Sequence, residues 1–128
     1  MDRRIKCCDI SSEELKAKLK EEMENRAFVA YLEGELCETE RDFLLQVAKI
    51  FRFPSYYGEN WNAFDECICD LEWLDLSQYS RVLFVIDGFK KMFSRGLPDS
   101  HEALLRHLNW MFEGWDEEHI VGEVWLNS

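Results

Sequence analysis

The chain has 128 residues, of which 47% are hydrophobic and 14% aromatic, so it fits one folded domain and is not a disordered chain. Its net charge of −11 at pH 7 disfavours binding to nucleic acid or to anionic membranes and favours a basic partner, although acidity also serves solubility alone. No apolar run approaches the ~20 residues that span a bilayer, and the first residues lack the apolar segment of a secretory signal. We therefore expect a cytoplasmic protein.

Five cysteines, an odd number, are typical of a reducing compartment. The two close pairs, Cys7 with Cys8 and Cys67 with Cys69, lack Cys-x-x-Cys spacing, and the three histidines lie far from them in the sequence. A zinc site would need distant segments to meet. We expect buried or half-buried thiols, with no metal and no cofactor.

The first predicted element is a charged helix over residues 11–25, with Ser11 or Ser12 as its N-cap and glutamates in its first turn. Its apolar positions form only a thin stripe of Leu15, Leu19 and Met23. We therefore predict an N-terminal helical extension, residues 1–26, packed loosely on a domain of residues 27–128.

Strand formers over residues 27–32 predict the first strand, which is followed by a turn at Gly34. Thr39 is the predicted N-cap of a helix that ends before Pro54. The apolar face of this helix is expected to consist of Phe43, Leu44, Val47, Ile50 and Phe51.

The clearest strand covers residues 81–87, "RVLFVID", because its apolar run without alternation indicates burial on both faces of a sheet. A further helix begins at residues 99–100, with Glu102 placed to complete a capping box with Asp99, and ends at Gly114. Its buried stripe is expected to consist of Leu104, Leu105, Leu108, Met111 and Phe112. The last ten residues are predicted to form a third strand.

Three strands separated by helices predict a small α/β domain with a three-stranded parallel sheet, because parallel neighbours need crossover connections. The pattern leaves open whether helices cover one face of this sheet or both.

The segment 53–75, "FPSYYGENWNAFDECICDLEWLD", carries six carboxylates and no Lys, Arg or His. A helix is predicted from Trp61 to Trp73, with Asn60 as its N-cap, after a turn that Gly58 permits. Its core stripe has the helical spacing of Trp61, Phe64, Ile68 and Leu71. A second stripe is mostly acidic and consists of Asn62, Asp65, Glu66, Cys69 and Asp70.

An ordinary amphipathic helix also has a solvated acidic face, but such faces usually mix charges of both signs. No basic residue occurs from residue 53 to residue 80. Tyr56 and Tyr57 precede the acidic stripe, and exposed aromatic side chains beside charge are typical of protein-binding hot spots. Either tyrosine can instead pack the turn against the core.

These residues resemble the barstar family of small intracellular inhibitors of barnase-type ribonucleases. The family signature runs Tyr-Tyr-Gly-x-Asn-hydrophobic-Asp-Ala-hydrophobic-x-Asp-Cys-hydrophobic, and the chain has "YYGENWNAFDECI" at residues 56–68. The resemblance extends over residues 27–128, through the strand and Gly34 before the motif, Pro54, and the closing "VWLNS". Residues 1–26 lie outside it.

The resemblance implies that this helix and the turn before it plug a ribonuclease active site, with carboxylates in place of substrate phosphates. The implied contact residues are Tyr56, Tyr57, Gly58, Asn60, Asn62, Asp65, Glu66, Cys69 and Asp70. Asn62 stands where the family usually has an aspartate, so one expected charge is missing. Glu66 stands in place of the main phosphate-mimicking aspartate and is one methylene longer, and the neighbouring Asp65 is placed to replace the lost charge.

The leading prediction is therefore a barstar-like inhibitor or immunity protein that neutralises a basic ribonuclease or nuclease toxin in the producing cell. A general protein-interaction module on the same fold, with a non-nuclease partner, stays open because fold alone does not determine function. An enzyme is disfavoured: Asp65 and Glu66 have no histidine near them in the sequence, and Asp87 is a lone carboxylate at a strand end. His101 and His107 are expected to be surface or capping residues.

Overall fold

The computed structural model describes residues 1–128, which form one parallel sheet with helices on both faces. The elements occur in the order β1 (Ile5–Cys8), α1 (Ser12–Glu24), β2 (Phe28–Glu33), α2 (Glu40–Ile50), α3 (Trp61–Asp70), β3 (Val82–Asp87), α4 (Ser100–Glu117) and β4 (Gly122–Asn127). The strand order across the sheet is β1-β4-β3-β2, and every pair is parallel. The predicted α/β class with a parallel sheet is confirmed, but the sheet has four strands rather than three.

The additional strand, β1, has the sequence IKCC, and only Ile5 in it is buried. So short a segment, with a single buried residue, carries neither an apolar run nor an alternation that predicts a strand. It pairs with β4 from Ile5 opposite Val124 to Cys8 opposite Asn127. Pairing with a distant strand, rather than local propensity, therefore determines this element.

Of the two serines predicted as possible N-caps of α1, Ser11 is the N-cap, and its side chain accepts a hydrogen bond from the backbone of the first turn. Leu15 and Leu19 are buried in a small cluster with Leu83 and Val85 of β3. The loose packing expected for this segment is therefore wrong, because it supplies an edge strand and a helix that covers one face of the sheet. The domain boundary near residue 26 stays a prediction.

The other face of the sheet is covered by α2, α3 and α4 around the main core, which includes Phe84 and Ile86 of β3. The first five residues of β3 are buried, as the apolar run without alternation predicted. The chain crosses the whole sheet from β1 to β2 and then returns through β3 to β4. Because right-handed crossovers in opposite directions lie on opposite faces, α1 is separated from the other helices.

Helix α2 begins at Thr39, which forms a capping box with Asp42. Ile50 is half-buried, and the rest of the predicted apolar face is fully buried, namely Phe43, Leu44, Val47 and Phe51. This helix packs against the segment that connects it to α3, and it thereby supports the candidate site.

Helix α4 differs from its prediction at both ends. The Asp99 side chain makes no capping hydrogen bond, so the expected capping box with Glu102 does not form, and Ser100 Oγ instead accepts a hydrogen bond from the Leu97 backbone. The helix also continues past Gly114 to Glu117. The predicted stripe is buried except for Leu105, which is half-buried. None of the helices has the length and apolar character that a membrane crossing requires.

Candidate functional site

The two tyrosines of the turn before α3 have different roles. Tyr57 is half-buried, and its hydroxyl donates a hydrogen bond to the backbone oxygen of Leu44 in α2 at 3.1 Å. Its ring packs edge-on against Phe53, with 4.7 Å between the ring centroids. Tyr56 is 71% exposed, and its hydroxyl lies 3.3 Å from Oε1 of Glu72. Tyr57 therefore fixes the turn to the core, whereas Tyr56 lies on the surface.

The N-terminus of α3 is fixed by Asn60, whose Oδ1 accepts a hydrogen bond from the Ala63 backbone at 2.8 Å. This N-cap is as predicted. The residue with left-handed backbone in the turn is Glu59, with φ of 54°, and not Gly58. Gly58 instead avoids a tight steric contact, because a Cβ there would lie 3.1 Å from Nδ2 of Asn60.

Helix α3 ends at Asp70, three residues before the predicted end. Leu71 takes a left-handed conformation, with φ of 49°, and its backbone N–H donates to the oxygen of Cys67. Leu71 is fully buried, so core packing holds this residue in a backbone conformation that usually favours glycine. The reversal turns Glu72 back towards Tyr56.

The buried side of α3 follows the predicted stripe. Trp61 is half-buried, and Cys67 is an additional buried residue between the predicted positions. The fully buried members of the predicted stripe are Phe64, Ile68 and Leu71. On the other side, Asn62 and Glu66 are exposed, and Asp65, Cys69 and Asp70 are half-buried. All of the predicted contact residues from Tyr56 to Asp70 thus lie on one turn and one helix.

Asp65 has an internal partner that the sequence did not reveal. Its Oδ1 lies 2.7 Å from Nδ1 of His107 in α4, and the His107 ring stacks on Trp61 with 4.1 Å between centroids and 10° between planes. The expectation that His107 is a surface or capping residue is wrong. His101 is also half-buried, with Nε2 3.0 Å from the Phe89 backbone oxygen.

The other carboxylates of this face have no basic partner in the fold. Glu66, Asp70 and Glu72 form no ion pair, whereas Glu59 in the turn pairs with Arg41 at 3.4 Å. Burial, and then the negative charges of the three unpaired carboxylates, raise the pKa of Cys67. These three carboxylates therefore leave the face with negative charge that no ion pair within the chain offsets.

Helices α3 and α4 come into close contact on this face, where Gly114 meets Cys69. A Cβ at Gly114 would lie 2.5 Å from the Cβ of Cys69 and 3.0 Å from its backbone oxygen. Gly114 therefore permits close approach within a helix, whereas the sequence suggested a helix end. This contact places the exposed residues of α4 directly beside the acidic stripe of α3.

Asp87, the other carboxylate considered for chemistry, lies outside this face. It accepts hydrogen bonds from Ser12 Oγ at 2.7 Å, from the Tyr31 hydroxyl at 2.6 Å and from Asn127 Nδ2 at 2.9 Å. Partial burial opposes ionisation, but these hydrogen bonds hold the pKa of Asp87 below its usual range. They tie α1 to three strands, so Asp87 has a structural role.

The side chains do not assemble a metal site: nowhere do three His, Cys, Asp or Glu residues come together in a suitable arrangement. All five cysteines are free thiols. What the α3 face offers is a fixed, negatively charged surface with an exposed tyrosine, which suits binding to a basic protein surface.

A comparison with curated proteins found no match. A family model described as Barstar (barnase inhibitor) matches residues 27–126. The match covers most of the chain and includes the whole turn, α3, the contact with α4 and three of the four strands. The chain therefore belongs to the barstar (barnase inhibitor) family.

Proposed function

We propose that this protein binds and blocks the basic active site of a ribonuclease or nuclease toxin through α3 and the tyrosine turn before it. The observation that carries the proposal is the set of unpaired carboxylates on this face, Glu66, Asp70 and Glu72. Like charges held together in this way destabilise the free protein, and they become favourable when a partner supplies the counter-charges. Membership of an inhibitor family supports the same function.

The contact residues we propose are those predicted from the sequence: Tyr56, Tyr57, Gly58, Asn60, Asn62, Asp65, Glu66, Cys69 and Asp70. Glu66 is the exposed carboxylate of α3 and takes the place of a substrate phosphate. Arginine in a ribonuclease cleft can pair with such a carboxylate through two parallel hydrogen bonds. Tyr56 contributes an exposed ring, and Tyr57 fixes the turn that carries it to α2.

Hydrogen bonds within the fold hold the turn and α3 in place before a partner arrives. Asn60 caps the helix, Tyr57 is bonded to α2, and His107 holds Asp65. Because little side-chain freedom is left to lose, more of the interaction energy appears as affinity. The uncompensated negative charge also attracts a basic enzyme, with association rates that reach ~10⁸–10⁹ M⁻¹s⁻¹ at low salt.

We place this activity in the cytoplasm of the cell that makes the ribonuclease, where the protein acts as an immunity protein or antitoxin. Its five thiols are unpaired, which suits a reducing compartment. A cell that makes a ribonuclease needs such an inhibitor wherever the folded enzyme meets its own RNA.

The proposal is tested with small basic ribonucleases of the barnase type, by following RNA cleavage and binding at increasing salt. We expect the wild-type protein to inhibit at least one of them, and Glu66→Gln to weaken binding by ~10-fold or more. Glu21→Gln is the matched control, because Glu21 is an exposed glutamate on α1, on the opposite face of the sheet. Failure of the wild-type protein to inhibit any member of the panel would contradict the proposal.

The alternative is a protein-interaction module with a non-nuclease partner. The observation that favours it is Asn62, an exposed neutral residue where the resemblance implies an aspartate. Binding to a non-nuclease partner that is insensitive both to salt and to Glu66→Gln would support this alternative over ribonuclease inhibition.

A further inference from the structure

Helix α1 covers only part of its face of the sheet. A helix with its side chains is ~10 Å wide and neighbouring strands are ~4.8 Å apart, so one helix covers about two of the four strands. Val85 of β3, Trp125 of β4 and Lys6 of β1 are neighbours in one row across the sheet. Along this row Val85 is fully buried, Trp125 is half-buried and Lys6 is exposed. The half of this face formed by β4 and β1 therefore lies open beside α1.

The open half of this face forms a groove of about 420 Å³ between α1 and strands β1 and β4. Trp125, Ile10 and Leu15 contribute apolar side chains to its lining. Sites for small organic ligands have volumes of roughly 300–1,000 Å³, and an aromatic ring in such a site offers a surface on which another planar ring stacks. Ile10 and Leu15 lie before the residues that match the family, so the N-terminal segment helps to form this groove.

The charged residues of the groove distinguish it from the acidic face of α3. Three cations line it, namely Lys6, Lys18 and Arg81. The carboxylate of Glu123 also lines the groove and lies 2.9 Å from the Lys6 ammonium and 3.3 Å from the Arg81 guanidinium. Arg81 pairs in addition with Glu22 at 2.6 Å. Lys18 forms no ion pair, so its positive charge is left for a ligand in a chain whose net charge is −11.

Internal bonds hold Glu123 and Trp125 in place at the groove. Glu123 Oε1 accepts a hydrogen bond from Trp125 Nε1 at 3.0 Å, and its Oε2 lies 2.9 Å from Lys6 Nζ. Partial burial opposes ionisation, but the hydrogen bonds from Trp125 and Lys6 lower the pKa of Glu123. The carboxylate is therefore charged at neutral pH and is engaged away from Lys18. The same bond orients the indole ring before a ligand arrives, which leaves less side-chain freedom to lose on binding.

We propose that this groove binds a small planar aromatic anion, with its ring against Trp125 and its anionic group at Lys18. A nucleoside monophosphate has this chemistry, because its base stacks on aromatic side chains and its phosphate pairs with lysine. An aromatic carboxylate combines the same two features. The groove lies on the opposite face of the sheet from α3, so this binding activity is separate from the proposed function.

Calorimetric titration of the full chain tests the groove with AMP, 2-naphthoate, adenosine and inorganic phosphate. The first two probes carry both a planar ring and a negative group, whereas adenosine lacks the charge and phosphate lacks the ring. We expect AMP or 2-naphthoate to bind with a Kd below ~1 mM. Adenosine and phosphate should each bind at least ~10-fold more weakly. The tighter of the two complete probes identifies phosphate or carboxylate as the preferred anion.

Two variants locate the binding in the groove. We expect Lys18→Ala and Trp125→Leu each to weaken binding of the complete probe by ~10-fold. Lys20→Ala is the control for charge, because Lys20 is exposed on the same helix, forms no ion pair and does not line the groove. Trp110→Leu, across the sheet on α4, is the control for loss of a tryptophan. Thermal unfolding of all four variants detects any loss of folding, and the exposed Lys18 keeps the test decisive even where Trp125→Leu lowers stability.

Binding of AMP or 2-naphthoate that both groove variants weaken, and that both controls leave unchanged, supports the inference. The inference is overturned if neither complete probe binds, or if a folded groove variant binds as tightly as wild type. Equal affinity for adenosine or for phosphate also overturns it, because one of the two features would then contribute nothing. None of these results bears on ribonuclease inhibition, which Glu66→Gln tests on the other face of the sheet.

Discussion

The carboxylate of Asp65 meets the imidazole of His107 at 2.7 Å across the contact between α3 and α4. The His107 side chain is only 13% exposed and that of Asp65 is 31% exposed, so the pair is partly shielded from water. This hydrogen bond orients one carboxylate of the acidic stripe and joins α3, which carries the proposed partner surface, to α4.

Replacement of His107 by alanine tests this orienting role. We expect His107→Ala to lower the free energy of unfolding by ~1–3 kcal/mol, because it removes a hydrogen bond to a carboxylate and the stacking on Trp61. Chemical denaturation measures the change. A double-mutant cycle with Asp65→Asn isolates the pair, and a coupling energy near zero would show that the two side chains do not support each other.

Replacement of Gly114 by alanine tests the close contact between α3 and α4. The added Cβ would lie 2.5 Å from the Cβ of Cys69, so one helix must move. We expect Gly114→Ala to destabilise the protein by ~1–3 kcal/mol, although alanine is the better helix former. Glu113→Ala, at an exposed neighbouring position, is the control and should change stability by less than ~0.5 kcal/mol. Equal stability of both variants would contradict the tight contact.

The thiols of α3 should react slowly at neutral pH. Burial, followed by the charges of Asp70, Glu66 and Glu72, raises the pKa of Cys67, so little of the reactive thiolate is present. We expect alkylation of Cys67 to lag well behind that of the exposed Cys7 and to accelerate as the pH rises. A mass-spectrometric time course at several pH values measures this order, and early modification of Cys67 at pH 7 would refute it.

Asp2, in the segment before α1, should stabilise the fold at neutral pH but not in acid. A hydrogen bond from the Arg4 side chain lowers the pKa of Asp2 from 3.8 to about 2, and Arg4 also pairs with Asp116 at 2.7 Å. Because the folded-state pKa is lowered, the stabilisation is present above pH ~4 and is lost as the pH falls towards 2. We expect Asp2→Asn to cost about 1 kcal/mol at pH 7, after allowance for solvent screening.

The measurement is the free energy of unfolding between pH 7 and pH 2 for wild type and Asp2→Asn. The two curves should converge in acid, because the wild-type carboxyl is then protonated. Curves that stay parallel over this range would show that Asp2 contributes no pH-dependent stability. Asp9→Asn, at an exposed position, controls for the loss of one negative charge.

The sequence was sufficient to predict the elements whose apolar pattern is local. The buried run of β3 and the stripe of α3 were predicted from hydrophobic periodicity alone. The N-caps Thr39 and Asn60 were predicted from residue type alone. These features depend on neighbours within a few positions, which a pattern in the sequence records.

Features that depend on distant residues escaped prediction. Asp65 and His107 are 42 positions apart, and β1 becomes a strand only through its pairing with β4.

The strand β1 also determines which strand forms one of the two edges of the sheet, the other being β2. Ile5 to Cys8 use the backbone groups of β4, which would otherwise lie open to another chain and offer a template for aggregation. The edge on this side of the sheet is then only four residues long and carries the exposed Lys6, and short, charged edges resist pairing with other sheets. Residues outside the family match thus protect the protein from self-association, so their removal would lower its solubility even if the acidic face kept its affinity.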